Sequence, residues 1–160
     1  MIFVAVGTQF SFDRLIQYMD SWAKENDETV FAQIGDGDYE PQHMQFERFL
    51  DGDRYNSLIS DAIVFVSHAG MGNIISAREH QTPILVINRQ YELGEHRNNH
   101  QADGLVWMGK LPGVYTATTQ EELNSQLAQR NQLECPAESE NQKREQLVQF
   151  LGDYIDGSLT

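Results

Sequence analysis

Short apolar-rich runs recur along the chain, unbroken at Ile2 to Val6, Ile63 to Val66 and Ile84 to Ile87, and interrupted by Gln33 in Val30 to Ile34 and by Thr116 in Val114 to Ala117. Runs of this length without alternation belong to strands buried on both faces. Between them the apolar positions return at helical spacing. Phe12, Leu15, Ile16 and Met19, with Trp22 and Ala23 a turn later, predict a helix over about Phe12 to Lys24 that lays one face on a sheet. Tyr55, Leu58 and Ile59 predict a second helix, with Asp53 as its cap. An apolar-rich helix follows Gly72 and ends before Pro83, which opens the next strand at a position that tolerates its missing N–H. The polar stretch from Asn88 to Asn99 leads to a helix holding Ala102, Leu105 and Val106. Thr119 with Glu122 forms a capping-box pattern for a helix holding Leu123 and Leu127. Residues Gln42 to Leu50, with Phe46, Phe49 and Leu50, suit a short strand or an extended segment.

Strands that alternate with helices predict an α/β domain with a Rossmann-like, doubly wound parallel sheet. From Asn131 to Asn141 the composition turns polar around Pro136, and Leu147, Phe150, Leu151, Tyr154 and Ile155 then recur at helical spacing. The expected organisation is one domain over residues 1–130, and over 131–160 a polar linker and a C-terminal amphipathic helix that covers the sheet. Docking of that helix to a partner is the alternative.

The pattern is densest at Ile63-Val64-Phe65-Val66-Ser67-His68-Ala69-Gly70-Met71-Gly72-Asn73. A buried strand, a glycine turn and a helix start are expected in direct succession. Such a junction aims unpaired backbone N–H groups and the positive end of the helix dipole at one spot, where a phosphate can be held without a lysine. Every parallel α/β domain needs strand-to-helix turns, and Gly70-x-Gly72 alone is a weak signal. Ser67 and His68 strengthen it, because they stand at the carboxyl end of a strand, where open α/β sheets bind ligands. The third glycine of a dinucleotide fingerprint is replaced by Ile75, and the Gly-Lys-Ser/Thr ending of a P-loop is missing, so NAD binding and P-loop ATP hydrolysis are disfavoured.

Charge narrows the partners. With 24 acidic against 11 basic residues the formal net charge is −13, which opposes nucleic-acid backbones and anionic lipid surfaces. A length of 160 residues suits one domain with a real core. The single cysteine, Cys135, cannot form an internal disulfide, and no uncharged apolar run reaches the roughly 20 residues of a membrane span. Met1 runs straight into a strand with no basic leader. A cytoplasmic protein without direct membrane insertion is expected.

Other chemistries fit poorly. Asp36-Gly37-Asp38 and Asp51-Gly52-Asp53 lie in glycine turns, where aspartate is favoured for backbone hydrogen bonding alone, so no metal is expected there. His96 and His100 have zinc-like spacing but lack a third ligand and the glutamate of His-Glu-x-x-His. Ser67 and His68 are adjacent on a strand end, so their side chains diverge, and no Gly-x-Ser-x-Gly elbow exists. Neither a metal, a cofactor nor a hydrolytic triad is expected.

Four segments in order carry a resemblance: Val6-Gly7-Thr8-Gln9; Ser60-Asp61-Ala62-Ile63-Val64 leading to Ser67-His68-Ala69-Gly70-Met71-Gly72; Thr82-Pro83-Ile84-Leu85-Val86; and Gly94-Glu95-His96-Arg97-Asn98-Asn99-His100-Gln101. Over roughly residues 1–128 the chain resembles the donor-binding half of GT-B glycosyltransferases of the family 28 C-terminal type. It is similar to the soluble subunit of the two-component transferase that extends dolichyl-diphosphate N-acetylglucosamine, and to soluble subunits of bacterial exopolysaccharide transferases. The resemblance implies a UDP-sugar donor and a separate, membrane-anchored acceptor-binding subunit that recruits this chain to the cytoplasmic face of the membrane. It also implies site positions. Gly7, Thr8 and the loop of His68, Gly70, Met71, Gly72 and Asn73 would face the diphosphate, the backbone near Leu50 the uracil, and Asn99, His100 and Gln101 the sugar hydroxyls or the phosphate.

One position departs from the pattern. Many members carry a ribose-binding glutamate seven residues before the proline that opens the next strand, and here Ser76 stands there, with Glu79 three residues on. Gln81 occupies a place where a glycine helix stop is common. The resemblance implies a hexosyltransferase subunit, active only with its partner, that extends a lipid-diphosphate-linked saccharide in exopolysaccharide or glycan assembly. A non-catalytic nucleotide-sugar-binding module of the same fold is the alternative. The catalytic base is assigned to no residue of this chain.

Overall fold

The computed structural model describes residues 1–7, 11–87 and 111–133. They build strands β1 (Ile2–Ala5), β2 (Val30–Gln33), β3 (Gln45–Glu47), β4 (Val64–His68), β5 (Ile84–Ile87) and β6 (Val114–Ala117), and helices α1 (Asp13–Glu25), α2 (Gly52–Asp61), α3 (Met71–Glu79) and α4 (Gln120–Ala128). The sheet is parallel throughout in the order β3-β2-β1-β4-β5-β6. The chain therefore works outwards from β1 to β3, returns to the other side of β1, and works outwards again. Ala5 stands opposite both Gln33 and Ser67, so the carboxyl ends of the central strands share one edge.

Successive residues of each strand face opposite sides, and both sides are covered. Ile2, Val4, Val64, Val66 and Leu85 pack with Leu15, Ile16 and Met19 of α1 and Leu123 and Leu127 of α4. Phe3, Ala5, Phe65 and Val86 pack with Ile59 of α2 and Ile74 and Ala77 of α3. This is the two-sided burial that the unbroken apolar runs predict.

Local chemistry refines several boundaries. The segment around Phe46 is a strand, β3, paired to β2 on the sheet edge. Strand β4 ends on Ser67 and His68, the carboxyl end at which the sequence places them. The cap of α2 is Asp51 and not Asp53: the Asp51 carboxylate accepts from Arg54 N at 2.8 Å, while Asp53 lies in the first turn. Either aspartate satisfies the sequence rule, and only the turn geometry chooses between them. Thr119 caps α4 through its hydroxyl, which accepts from Glu122 N at 3.1 Å, and Glu122 reaches back to Thr118 N one residue before the cap.

Helix α3 ends in a Schellman motif. Thr82 N donates to Ala77 O at 2.9 Å and Gln81 N to Arg78 O at 3.2 Å, with Gln81 at φ +55°. A side chain in this left-handed region costs about 1 kcal/mol relative to glycine. Gln81→Gly is therefore expected to raise stability by roughly 0.5–1 kcal/mol, measured as a shift of the urea midpoint at unchanged slope. A lowered midpoint would show that the glutamine side chain contributes more than its backbone costs.

Among the described residues no helix is long and apolar enough to cross a membrane. The helix expected around Ala102 to Val106, and the linker and C-terminal helix of 131–160 beyond Leu133, lie outside the described residues.

Candidate functional site

The sheet reverses its winding between β1 and β4, and open α/β sheets hold ligands in the crevice outside the carboxyl ends at such a switch point. The loop that leaves β1 begins with Val6 and Gly7, and the loop that leaves β4 runs from His68 to Gly70. The two loops meet on the imidazole of His68. A β-carbon built on Gly70 would lie 2.6 Å from His68 Cε1, and one built on Gly7 would lie 3.3 Å from His68 Nε2. Glycine at both places leaves room for the ring, which the two loops flank. Gly7 also has φ +85°, a conformation that disfavours any side chain.

Gly70 is the N-cap of α3 and supplies no side-chain cap, and the first turn of this helix carries no acidic residue. The first intrahelical bond runs from Ile74 N to Gly70 O, so the N–H groups of Met71, Gly72 and Asn73 have no partner within the helix. They carry the positive end of the helix dipole into the crevice. Gly72 differs from Gly70 in kind. Its φ is not left-handed, it is exposed, and a β-carbon there would meet nothing within 4 Å. Its service is open space above the helix start, and no special conformation is demanded of it.

Asn73 is held from beneath. Tyr55 Oη donates to Asn73 Oδ1 at 2.7 Å, and the Tyr55 ring packs edge-on against Phe3 and Phe65, with centroids 5.4 and 6.0 Å away. Burial pushes the Tyr55 hydroxyl well above its ordinary pKa, so it remains a donor at any physiological pH. Ser76 is half-buried on α3, three residues past Asn73 and so on the same face; Glu79 is exposed to solvent. Ser67 is fully buried, and its hydroxyl donates to His68 O at 2.8 Å, which fixes the end of β4 and turns its oxygen away from nucleophilic use.

The loop after β2 forms a flank of the crevice. Asp13 accepts from Asp38 N at 3.2 Å, and Gly37 stays side-chain-free because a β-carbon would collide with the Asp13 carboxylate. Asp20, on the same helix, accepts from Tyr39 Oη, Gln42 N and His43 N. Burial raises its pKa, and these hydrogen bonds outweigh that, so the carboxyl is held below its ordinary value. The Arg48 guanidinium donates to Gly35 O and Gly37 O at 3.0 and 2.9 Å and pairs with Glu40 at 3.1 Å. Both aspartates of the Asp51-Gly52-Asp53 pair serve the start of α2, and among the described residues no three His, Cys, Asp or Glu side chains converge on one point.

The structure thus brings together Gly7, His68, Gly70, Met71, Gly72, Asn73 and Ser76 at one edge. Leu50 stands three residues past β3 with its side chain packed against the core cluster of Phe3, Ile59 and Phe65, and its loop joins the rest through Arg48. Thr8, Asn99, His100 and Gln101 lie outside the described residues. Two contributors escaped sequence reasoning. Tyr55 read only as an apolar helix position, and Gln33 was passed over inside the run Val30 to Ile34. Gln33 is buried, at 3% exposure, and its carboxamide both accepts from Gly7 N and donates to Gly7 O at 3.0 Å. A glutamine at the end of an apolar strand was the available signal.

The glycosyltransferase family 28 C-terminal domain matches residues 1–153, nearly the whole chain and some 25 residues beyond the 1–128 over which the resemblance runs. The chain belongs to this family. Its role therefore lies in glycosyl transfer, as the donor-binding type of domain. Among solved structures it is similar to ALG13 in solution, with a TM-score of 0.62, 16% identity, and coverage of 92% of this chain and 94% of that one. It is also similar to the spinosyn forosaminyltransferase SpnP, at TM-score 0.60 and 13% identity over 98% of this chain and 43% of the other. Acinetobacter baumannii MurG gives 0.56 and 12% over 94% and 49%. At these identities the likeness is one of fold, that of the C-terminal half of a GT-B transferase. The chain spans less than half the length of SpnP and MurG. A search of curated proteins finds no match.

Proposed function

We propose that this family 28 domain is the UDP-sugar-binding subunit of a membrane-associated hexosyltransferase that extends a lipid-diphosphate-linked saccharide. The observation that carries the reading is the His68 ring flanked by Gly7 and Gly70, beside the uncapped start of α3 at the switch point. Backbone amides there suit a diphosphate, and in this reading the imidazole donates a hydrogen bond to charge that builds on the leaving nucleotide. The second wall of the cleft comes from a membrane-anchored acceptor-binding partner, which also brings the chain to the membrane from the cytoplasm. Coverage of nearly all of ALG13 and under half of SpnP and MurG supports that division.

Calorimetry with UDP, UMP, GDP, TDP and their sugars tests the donor assignment. UDP is expected to bind at least tenfold more tightly than UMP, because each added charge-assisted hydrogen bond contributes roughly 1.5–3 kcal/mol. Equal affinity for UMP and UDP would remove the diphosphate cradle. Ser76, in the place of a glutamate, leaves the ribose without a carboxylate at that position and favours the second reading, a non-catalytic nucleotide-sugar-binding module. Tight donor binding without transfer in the presence of any partner would establish that module.

A further inference from the structure

The loops that frame the crevice are tied to one another by a single buried side chain. Among the described residues the Gln33 carboxamide bonds to backbone groups: Oε1 accepts from Val6 N at 3.2 Å and Gly7 N at 3.0 Å, while Nε2 donates to Gly7 O at 3.0 Å and Arg48 O at 2.7 Å. Past Val6 and Gln33 the strands β1 and β2 part, and the carboxamide continues their ladder as a substitute peptide group. Burying an amide costs several kcal/mol unless it is paired, and here both ends are paired. Simple filling of the strand end would not need both the N–H and the C=O of Gly7, the residue held at φ +85° and set against His68 Nε2. Arg48 O, the fourth partner, also accepts from Gly35 N at 2.8 Å, so the loops after β1, β2 and β3 converge on this one group.

We propose that Gln33 is a positioning residue: through Gly7 it sets the placement of the His68 ring, and through Arg48 O it locks the loop after β3, which carries Leu50, to the loop after β1. The inference deepens the donor-site reading and rests on it for its consequence in binding, though not for its consequence at His68.

The test compares Gln33→Met, similar in size and unable to bridge, with Gln33→Glu, which keeps the acceptors but loses both donations as a carboxylate. Leu127→Ala, buried under α4 on a different part of the core, serves as a control of lowered stability. Two readouts are taken well below each melting temperature: the His68 imidazole signal in a heteronuclear NMR spectrum, assigned among the five histidines, and the Kd for UDP. Both Gln33 variants are expected to move the His68 signal and to raise the Kd at least tenfold, while Leu127→Ala lowers the melting temperature and leaves both readouts in place. Gln33 variants with lowered melting temperature but an unmoved His68 signal would overturn the proposal and make the glutamine a purely structural group. A moved His68 signal in a protein whose wild type binds no UDP would support the positioning role and defeat the donor reading. If Gln33→Met does not fold, Gln33→Glu decides by the same His68 signal.

Discussion

Gly70→Ala is expected to raise the Kd for UDP by about 10–100-fold while leaving the protein folded. The new methyl group would stand 2.6 Å from His68 Cε1, far inside contact distance, and what it meets is the end of a side chain that can swing. The fold relieves the clash by moving the ring, at about 1–3 kcal/mol for overpacking. On the proposed reading the crevice then loses a hydrogen bond from the imidazole to a phosphate oxygen, worth roughly 1.5–3 kcal/mol, and each 1.4 kcal/mol is a factor of ten in affinity. Gly72→Ala is the comparator, since its β-carbon enters open space in the first turn of a helix. It should stabilise the fold by up to about 1 kcal/mol, as alanine does over glycine in helices. Calorimetry and thermal melts on both variants separate the two effects. A wild-type Kd for Gly70→Ala would show that His68 takes no part in binding and that the glycine serves packing alone.

The contrast between these glycines marks how far the sequence could be read. The motif Gly70-x-Gly72 presents two equal letters, and both suggest a turn. Only the three-dimensional arrangement shows that Gly70 is constrained by the ring of His68 while Gly72 is unconstrained. Local features were legible because their causes are local. Unbroken apolar runs give strands buried on both faces, and Thr119 with Glu122 opens α4. The order of strands and helices gives the parallel sheet and hence the edge at which Gly7 and His68 meet. What periodicity does not carry is pairing across the chain. The bonds from Gln33 to Gly7 and from Tyr55 to Asn73 join residues 26 and 18 apart, and no pattern in either segment announces them. Asp51 rather than Asp53 caps α2 for a related reason: both satisfy the composition rule, and one atom position decides.

The largest expected effect concerns transfer itself. GT-B chemistry takes place between two Rossmann-like halves, and the described residues supply one sheet and one crevice. Holding donor and acceptor in register is worth an effective molarity of about 10⁵ M or more, an advantage that one wall cannot deliver. The purified chain is therefore expected to bind UDP-sugar and to transfer it at less than about a thousandth of the rate reached when a membrane-anchored acceptor half is added. Phe49, 48% exposed on the loop after β3, is an apolar side chain that the proposed partner is expected to cover. His68→Ala should bind the donor more weakly and lower the restored rate further still, because charge on the departing diphosphate is greater in the transition state than in the bound donor. Radiolabelled UDP-sugars and membranes, with and without the partner, supply the measurement. Robust transfer to a soluble acceptor by the chain alone would overturn the two-component reading. Tight donor binding that no partner converts into transfer would shift the assignment to a nucleotide-sugar-binding module, in which the crevice at β1 and β4 is kept for recognition without turnover.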